Sequence, residues 1–361
     1  MRLKIYYCFL VVTFFISTLY YSSAFARGYP KTITDALSRK VTIEKPVERI
    51  AFSGTCIGEA LIIAGVWDKV AGRGYMTDPD KILYPGIVEI PVFATDIPGP
   101  YNVNYEKMLE LNIDLLFTVN TTSPGFEEMN NKIKSRVKIV VLDMFLPETV
   151  KSNFEILSAI FDQKQGSKAY IDWYEHIVRD ISSKTSGLSA EQKKRFFLNW
   201  SFGHVKEFST MSDKFPGMKA TNTLVGGINI AADLGSAWGG AIDPEWLMQQ
   251  EIDAIICQGS LPNIYGAAVD DPAGLITFRK QIMALPAFAS SKAVRNNSVY
   301  MISPKFMFSP GLPVYLAYLA KWLHPELFPG LNPQVLHQEY LNRFLHGNFD
   351  LSKHGVFVYP K

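Results

Sequence analysis

Cysteine is scarce in this chain, three in 361 residues, and Cys8 lies inside the first apolar stretch. The other two, Cys56 and Cys257, stand one in each half, which excludes a disulfide-stapled scaffold. Export would permit a bond between them that ties the halves together. Two buried free thiols fit better with halves that must open. Charge of one sign is also missing: Lys and Arg number 36 against 34 Asp and Glu, and Arg2 with Lys4 accounts for the excess. Bulk steering towards nucleic acid or a membrane surface is therefore not expected. After residue 26 no run is apolar enough to span a bilayer.

The common catalytic arrangements are absent too. Gly72-Arg73-Gly74-Tyr75-Met76-Thr77 begins like a dinucleotide fingerprint, but Thr77 replaces the third Gly and Pro79 follows where a helix should run. No Walker loop and no G-x-S-x-G elbow occurs. Of six His, His176 falls in a helical stretch and His324, His337, His346 and His354 lie in the last 38 residues. None forms H-x-H or H-E-x-x-H, so these four read as surface or capping residues and no metal site is expected.

Residues 1–26 read as a cleavable signal peptide. Arg2 and Lys4 precede an apolar stretch from Ile5, and Ala24-Phe25-Ala26 is a small-x-small cleavage site. An uncleaved anchor is the alternative, and a lipoprotein would need its Cys just after the apolar core, where Cys8 does not stand. A periplasmic product is expected.

The chain repeats one motif about 140 residues apart. Asn104 to Asn120 reads NYEKMLELNIDLLFTVN and Asp243 to Gly259 reads DPEWLMQQEIDAIICQG, so Glu106 and Glu245 each stand eight positions before an Asp, Asp114 or Asp253. An amphipathic turn, a polar corner and an apolar run, Leu115 to Val119 or Ala254 to Cys257, make one α-to-β unit of a parallel sheet. An acidic residue in a first helical turn is also favoured by the helix dipole alone, and Pro244 at the first helical position fits that explanation. Recurrence lifts the functional reading: two acidic helix starts could grip basic residues of a two-fold symmetric partner.

Strands are predicted at Arg49 to Ser53, Lys69 to Gly72, Lys138 to Leu142, Phe196 to Trp200 and Ser298 to Ile302. Helices are predicted at Cys56 to Gly65, Gly125 to Lys134, Gly311 to Leu323 and Pro333 to Leu345. From Pro147 to Lys184 the spacing is helical throughout. Tyr170, Trp173, Ile177 and Ile181 share one face of a long helix after Gly166, and a polar break covers Ser182 to Lys194. The fold class is α/β: two Rossmann-like lobes with parallel sheets, joined by one long helix, with a cleft between them. The divisions are 27–160 for the first lobe, 161–190 for the connecting helix, and 191–361 for the second lobe with a helical C-terminal extension. A single helical crossover predicts a stiff pair with modest closure.

Ligands of open parallel sheets bind at the carboxyl ends of strands. The loops there hold Ser53-Gly54-Thr55, Arg73 and Tyr75, Trp200 to His204, Trp238, and Phe306 to Phe308. Aromatic faces beside Gly suit a bulky, partly apolar ligand, with Arg73 or His204 pairing carboxylates on it. The same aromatics could equally form lobe-interface core.

Taken together, the segment RIAFSGTCIGEALIIAGVWDKVAG, the paired units with Glu106 and Glu245, the connecting helix and DPAGLITFRKQIMALPAFASSKAVRNNSVYMIS resemble the substrate-binding proteins of ABC importers for iron chelates, haem and cobalamin. The resemblance covers nearly the whole chain beyond the leader. It implies docking onto arginines of a permease dimer through Glu106 and Glu245. It also implies ligand contacts from Tyr75 and Trp238, which hold the positions of the Tyr and Trp of cobalamin binders. The aromatic that those binders carry before the first docking Glu is replaced by Thr95 to Pro100, and HPELFPGLNPQVLHQEYLNRFLHG resembles the iron-chelate branch. Haem binders use Tyr or His on iron, a role open to Tyr75 and His204.

The expectation is a monomeric binding protein with no catalytic residues, no cofactor and no nucleic-acid partner. Its ligand is a metal chelate, a ferric siderophore first, with cobalamin or haem as alternatives. Trp238, Tyr75, Trp200 and Phe306 would enclose the ligand, Arg73 and His204 would pair its polar groups, and the backbone of Ser53 to Thr55 would donate hydrogen bonds. An exported α/β enzyme, or a sensor that retains the fold, remains an alternative.

Overall fold

The computed structural model describes residues 28–74, 76, 81–94, 103–119, 124–134, 136–201, 208–234, 237, 239–259 and 264–360. A hairpin of β1 (Lys31–Thr34) and β2 (Lys40–Ile43) leads into the first lobe. There β3 (Ile50–Ser53), β4 (Val70–Arg73), β5 (Leu115–Thr118) and β6 (Lys138–Val141) form a parallel sheet in the order β4-β3-β5-β6. Its helices are α1 (Thr55–Ile63), α2 (Tyr105–Glu110), α3 (Pro124–Ile133) and α4 (Val150–Phe161).

The second lobe repeats that order. Its strands are β7 (Lys194–Ser201), β8 (Gly227–Asn229), β9 (Ala254–Gly259) and β10 (Val299–Ile302), arranged β8-β7-β9-β10, with antiparallel β11 (Val358–Tyr359) added beyond β10. All but β11 run parallel, and the middle strands β5 and β9 are buried along their whole length and mostly apolar, as burial on both faces demands. The expected α/β class with two lobes is what the chain forms.

The lobes are joined by α5 (Gln165–Thr185), 21 residues with Tyr170, Trp173, Ile177 and Ile181 buried along one face. It runs four residues into the expected polar break, because the hydroxyls of Ser182 and Ser183 bond back to the carbonyls of Arg179 and Asp180 and leave the helical ladder intact. After Pro147 the helical stretch is two helices, α4 and α5, separated where Asp162 takes a left-handed conformation (φ 56°).

The second lobe and extension carry α6 (Met218–Leu224), α7 (Pro244–Met248), α8 (Ala273–Met283), α9 (Pro286–Ala289), α10 (Lys292–Arg295), α11 (Leu312–Leu323) and α12 (Pro333–Glu339). The last continues as a π-helical turn, Tyr340–Phe344. No helix among the described residues is long and apolar enough to cross a membrane.

Three clusters make up the interior. One lies on the outer face of each sheet, and the largest is shared: it runs from Phe52, Ile57 and Phe117 of the first lobe through Tyr170 and Ile177 of α5 to Leu198, Ile256 and Leu316 of the second. A continuous core beneath both sheets opposes large hinge motion, since close-packed interiors do not deform smoothly.

Two readings of the histidines are corrected. His324 is 1% exposed and lies against the Gly226 carbonyl at 3.0 Å, so it ends α11 from inside the core. His337 is 2% exposed and meets Phe306 and Phe357 edge-on at 4.7 and 4.8 Å, a core contact that its polar neighbours in sequence conceal.

Candidate functional site

The duplicated motif builds the same device twice. Glu106 is the second residue of α2, where Asn104 caps the helix by accepting from the Lys107 amide at 2.8 Å. Glu245 is the second residue of α7, where Asp243 accepts from the Glu245 amide at 2.8 Å and Pro244 presets the first turn. Both carboxylates are exposed, and neither has an ion-pair partner among the described residues. The two helices hold like charge outward on matched corners of the two lobes.

The Asp of each motif is the anchor. Asp114 Oδ2 accepts from the amides of Glu48 and Arg49, both at 3.0 Å, and Asp253 Oδ2 accepts from the Arg195 amide at 2.9 Å. The Asp amides return the bond to the carbonyls of Arg49 and Arg195, each at 2.7 Å. Arg49 and Arg195 then reach the Leu111 and Glu251 carbonyls, at the end of the turn that carries each glutamate. Lys45 and Lys292 close the rings onto Asp114 and Asp253. Partial burial pushes both Asp carboxyls up, but the lysines and backbone amides outweigh it and hold them below the ordinary range. The spacing of eight thus ties each glutamate-bearing helix to the entrance of its lobe's central strand.

At the carboxyl ends of β6, β7 and β10 lies a cluster of rings drawn from both lobes. Phe145 of the first lobe meets Phe215 at 6.3 Å and Phe308 at 6.0 Å, and Trp200 meets Phe308 edge-on at 5.5 Å. Phe145 and Phe308 are half-buried, whereas Trp200 is 9% exposed. Of the expected ligand aromatics, Trp200 belongs to this cluster and Phe306 does not. Phe306 turns into the core against His337 and Phe357, and the ring two residues on, Phe308, joins the cluster with Phe145 and Trp200. Tyr75, His204 and Trp238 lie outside the described residues.

The remaining candidates line the first lobe's strand ends. Gly54 has φ +106°, and a Cβ there would fall 2.9 Å from Val119, so the turn from β3 into α1 requires glycine. It sets Ser53 and Thr55 at the strand end. The Ser53 hydroxyl lies in register with that of Thr118, both buried and both without a partner among the described residues. Arg73 at the end of β4 donates to the Ile87 carbonyl at 3.3 Å, and its partial burial lowers the guanidinium's affinity for its proton. The glycines beside it serve packing rather than phosphate binding: a Cβ on Gly72 or Gly74 would meet Leu111 or Ser53 at 2.6 Å.

Sequence reasoning missed Phe145, Phe215 and Thr118, which come from segments with no loop signature; Thr118, a polar residue near the end of the apolar run from Leu115, was the available signal. Cys56 and Cys257 are free and buried, and burial raises both thiols. No group of three or more His, Cys, Asp or Glu among the described residues could hold a metal ion.

A family model described as periplasmic binding protein matches residues 50–305. The chain is 23% identical over 304 residues to the uncharacterized ABC transporter substrate-binding lipoprotein YvrC of Bacillus subtilis, covering 83% of this chain and 87% of that protein. It is 20% identical over 365 residues to the molybdate-binding protein MolA of Haemophilus influenzae, covering 91% and 95%. The crystal structure of the TroA-like periplasmic binding protein FepB from Veillonella parvula superposes with a TM-score of 0.76 at 21% identity, covering 91% of this chain and 99% of that one.

Proposed function

The chain belongs to the periplasmic binding protein family, and from that premise we propose that it captures a metal chelate, a ferric siderophore first, between its lobes and delivers it to the permease of an ABC importer. The observation that carries this reading is the pair of exposed carboxylates, Glu106 and Glu245, held outward by duplicate anchors on matched helices. A two-fold permease presenting arginines is the partner that such a pair fits.

Cargo would lie against Trp200, Phe145 and Phe308, with the backbone of Ser53 to Thr55 and Arg73 meeting its polar groups and Tyr75, His204 and Trp238 completing the enclosure. No bond of the cargo is made or broken. Export by the N-terminal leader places this work outside the cytoplasm. Cobalamin or haem is the second reading, supported by the aromatic content of the same loops. A relative named for molybdate makes that oxoanion a necessary control.

Purified protein should show quenched tryptophan fluorescence and a raised Tm with a ferric siderophore. No response to any iron chelate, haem or corrinoid would overturn the reading, and a response to molybdate alone would redirect it to an oxoanion.

A further inference from the structure

Glu59 lies on α1, one turn beyond Thr55, and is 5% exposed. Tyr84 of the first lobe donates its hydroxyl to Oε1 at 2.9 Å. From the C-terminal half, Tyr340 at the start of the π-helical turn donates to Oε2, and the Ser309 hydroxyl lies beside the carboxyl and favours its ionised form. The surroundings fix those groups. Ser309 Oγ accepts from the Gly311 amide at 3.0 Å, Tyr170 of α5 donates to the Pro310 carbonyl at 2.6 Å, and Trp173 stacks on Tyr340 at 6.0 Å with planes 16° apart. First lobe, connecting helix and C-terminal extension therefore converge on one buried carboxyl group. Burying it costs free energy that an apolar residue of the same size would not, so directional contacts are what it adds.

We propose that Glu59 is a proton-sensitive pin between the lobes, holding Tyr340 of the C-terminal half against Tyr84 of the first lobe, so that the buried, pinned arrangement is favoured in acid. Burial raises this carboxyl above its ordinary value and prevails over the three hydroxyls and the field of Lys305, which act the other way. The other titratable groups facing it do not balance its charge. Tyr170 on α5 and Tyr340 are themselves raised by burial, as is Cys56 on α1 with Asp143 beside it, and His337 of α12 turns towards Phe306 and Phe357. Parting the lobes would hydrate the carboxyl and return it to its ordinary range. The pinned arrangement therefore binds the proton more tightly, is favoured in acid, and weakens as pH rises through the raised value.

The test is the distribution of distances between nitroxides on Lys134→Cys and Lys280→Cys, exposed positions in the two lobes, read by double electron–electron resonance from acid to mildly alkaline pH. The wild-type background should broaden with rising pH. Glu59→Gln, which keeps the shape of the protonated group, should stay narrow throughout, and Tyr340→Phe should be broad already in acid. Identical pH responses in wild type and Glu59→Gln, or a Tyr340→Phe distribution matching wild type, would overturn the proposal. So would failure of Glu59→Gln to fold. No cargo is involved, so the outcome is independent of the function proposed above.

Discussion

Asp114 and Asp253 serve the two glutamates from behind, and their chemistry gives a pH signature. Each carboxyl is held below its ordinary value in the folded chain, so its contribution to stability is present above the ordinary value near 3.8 and is lost as pH falls through the folded value. Asp114→Ala and Asp253→Ala should each destabilise by about 1–2 kcal/mol at neutral pH, the cost of a charge-assisted hydrogen-bond set that is partly exposed. In urea unfolding that difference should shrink towards zero in strong acid; an equal loss at both pH values would contradict the assignment. The two rings after β10 give a second residue-level contrast. Phe306→Ala should cost about 3–5 kcal/mol as a core cavity, while Phe308→Ala should weaken cargo quenching with a smaller loss of stability. If Phe306→Ala alone impaired binding, the assignment of the two rings would be reversed. Sequence pattern placed the loop that holds both rings but not their directions, because a 3₁₀ turn over Pro304–Phe306 rotates one inward and leaves the other half-buried among Phe145, Trp200 and Phe215.

At the level of elements, the α-to-β units were legible because period and burial agree: a short, mostly apolar buried run after a capped polar turn fits a strand of a parallel sheet. The strands that escaped are short or local. β8 is three residues and β11 two, and each exists through pairing with a neighbour that its own residues do not specify. The separation of α4 from α5 was also hidden, since Asp162 adopts its left-handed conformation in a stretch whose periodicity carries on. Gly166 offers a sharp test of how α5 seats. Replacing a helical Gly with Ala ordinarily stabilises by about 1 kcal/mol. Here the added Cβ would fall 2.1 Å from the Ile63 carbonyl oxygen, so Gly166→Ala should lower the Tm instead. A raised Tm would mean that α1 and α5 do not pack this closely.

For the molecule as a whole, the shared core and the two glutamate-bearing corners belong together. A cluster running under both sheets limits how far the lobes can separate, and on the proposed function this keeps Glu106 and Glu245 within reach of one two-fold partner. The sequence announced the pair through its repeat, while the ring cluster that would meet cargo draws on distant segments, Phe145, Phe215 and Phe308, that meet only once the chain is folded. Docking and capture are therefore separable, and one paired measurement decides whether they are: uptake of a labelled ferric siderophore by cells carrying Glu106→Ala together with Glu245→Ala, alongside the affinity of the same purified variant for that chelate. The account predicts uptake abolished with affinity unchanged. Uptake at the wild-type rate, or affinity lost along with uptake, would contradict it.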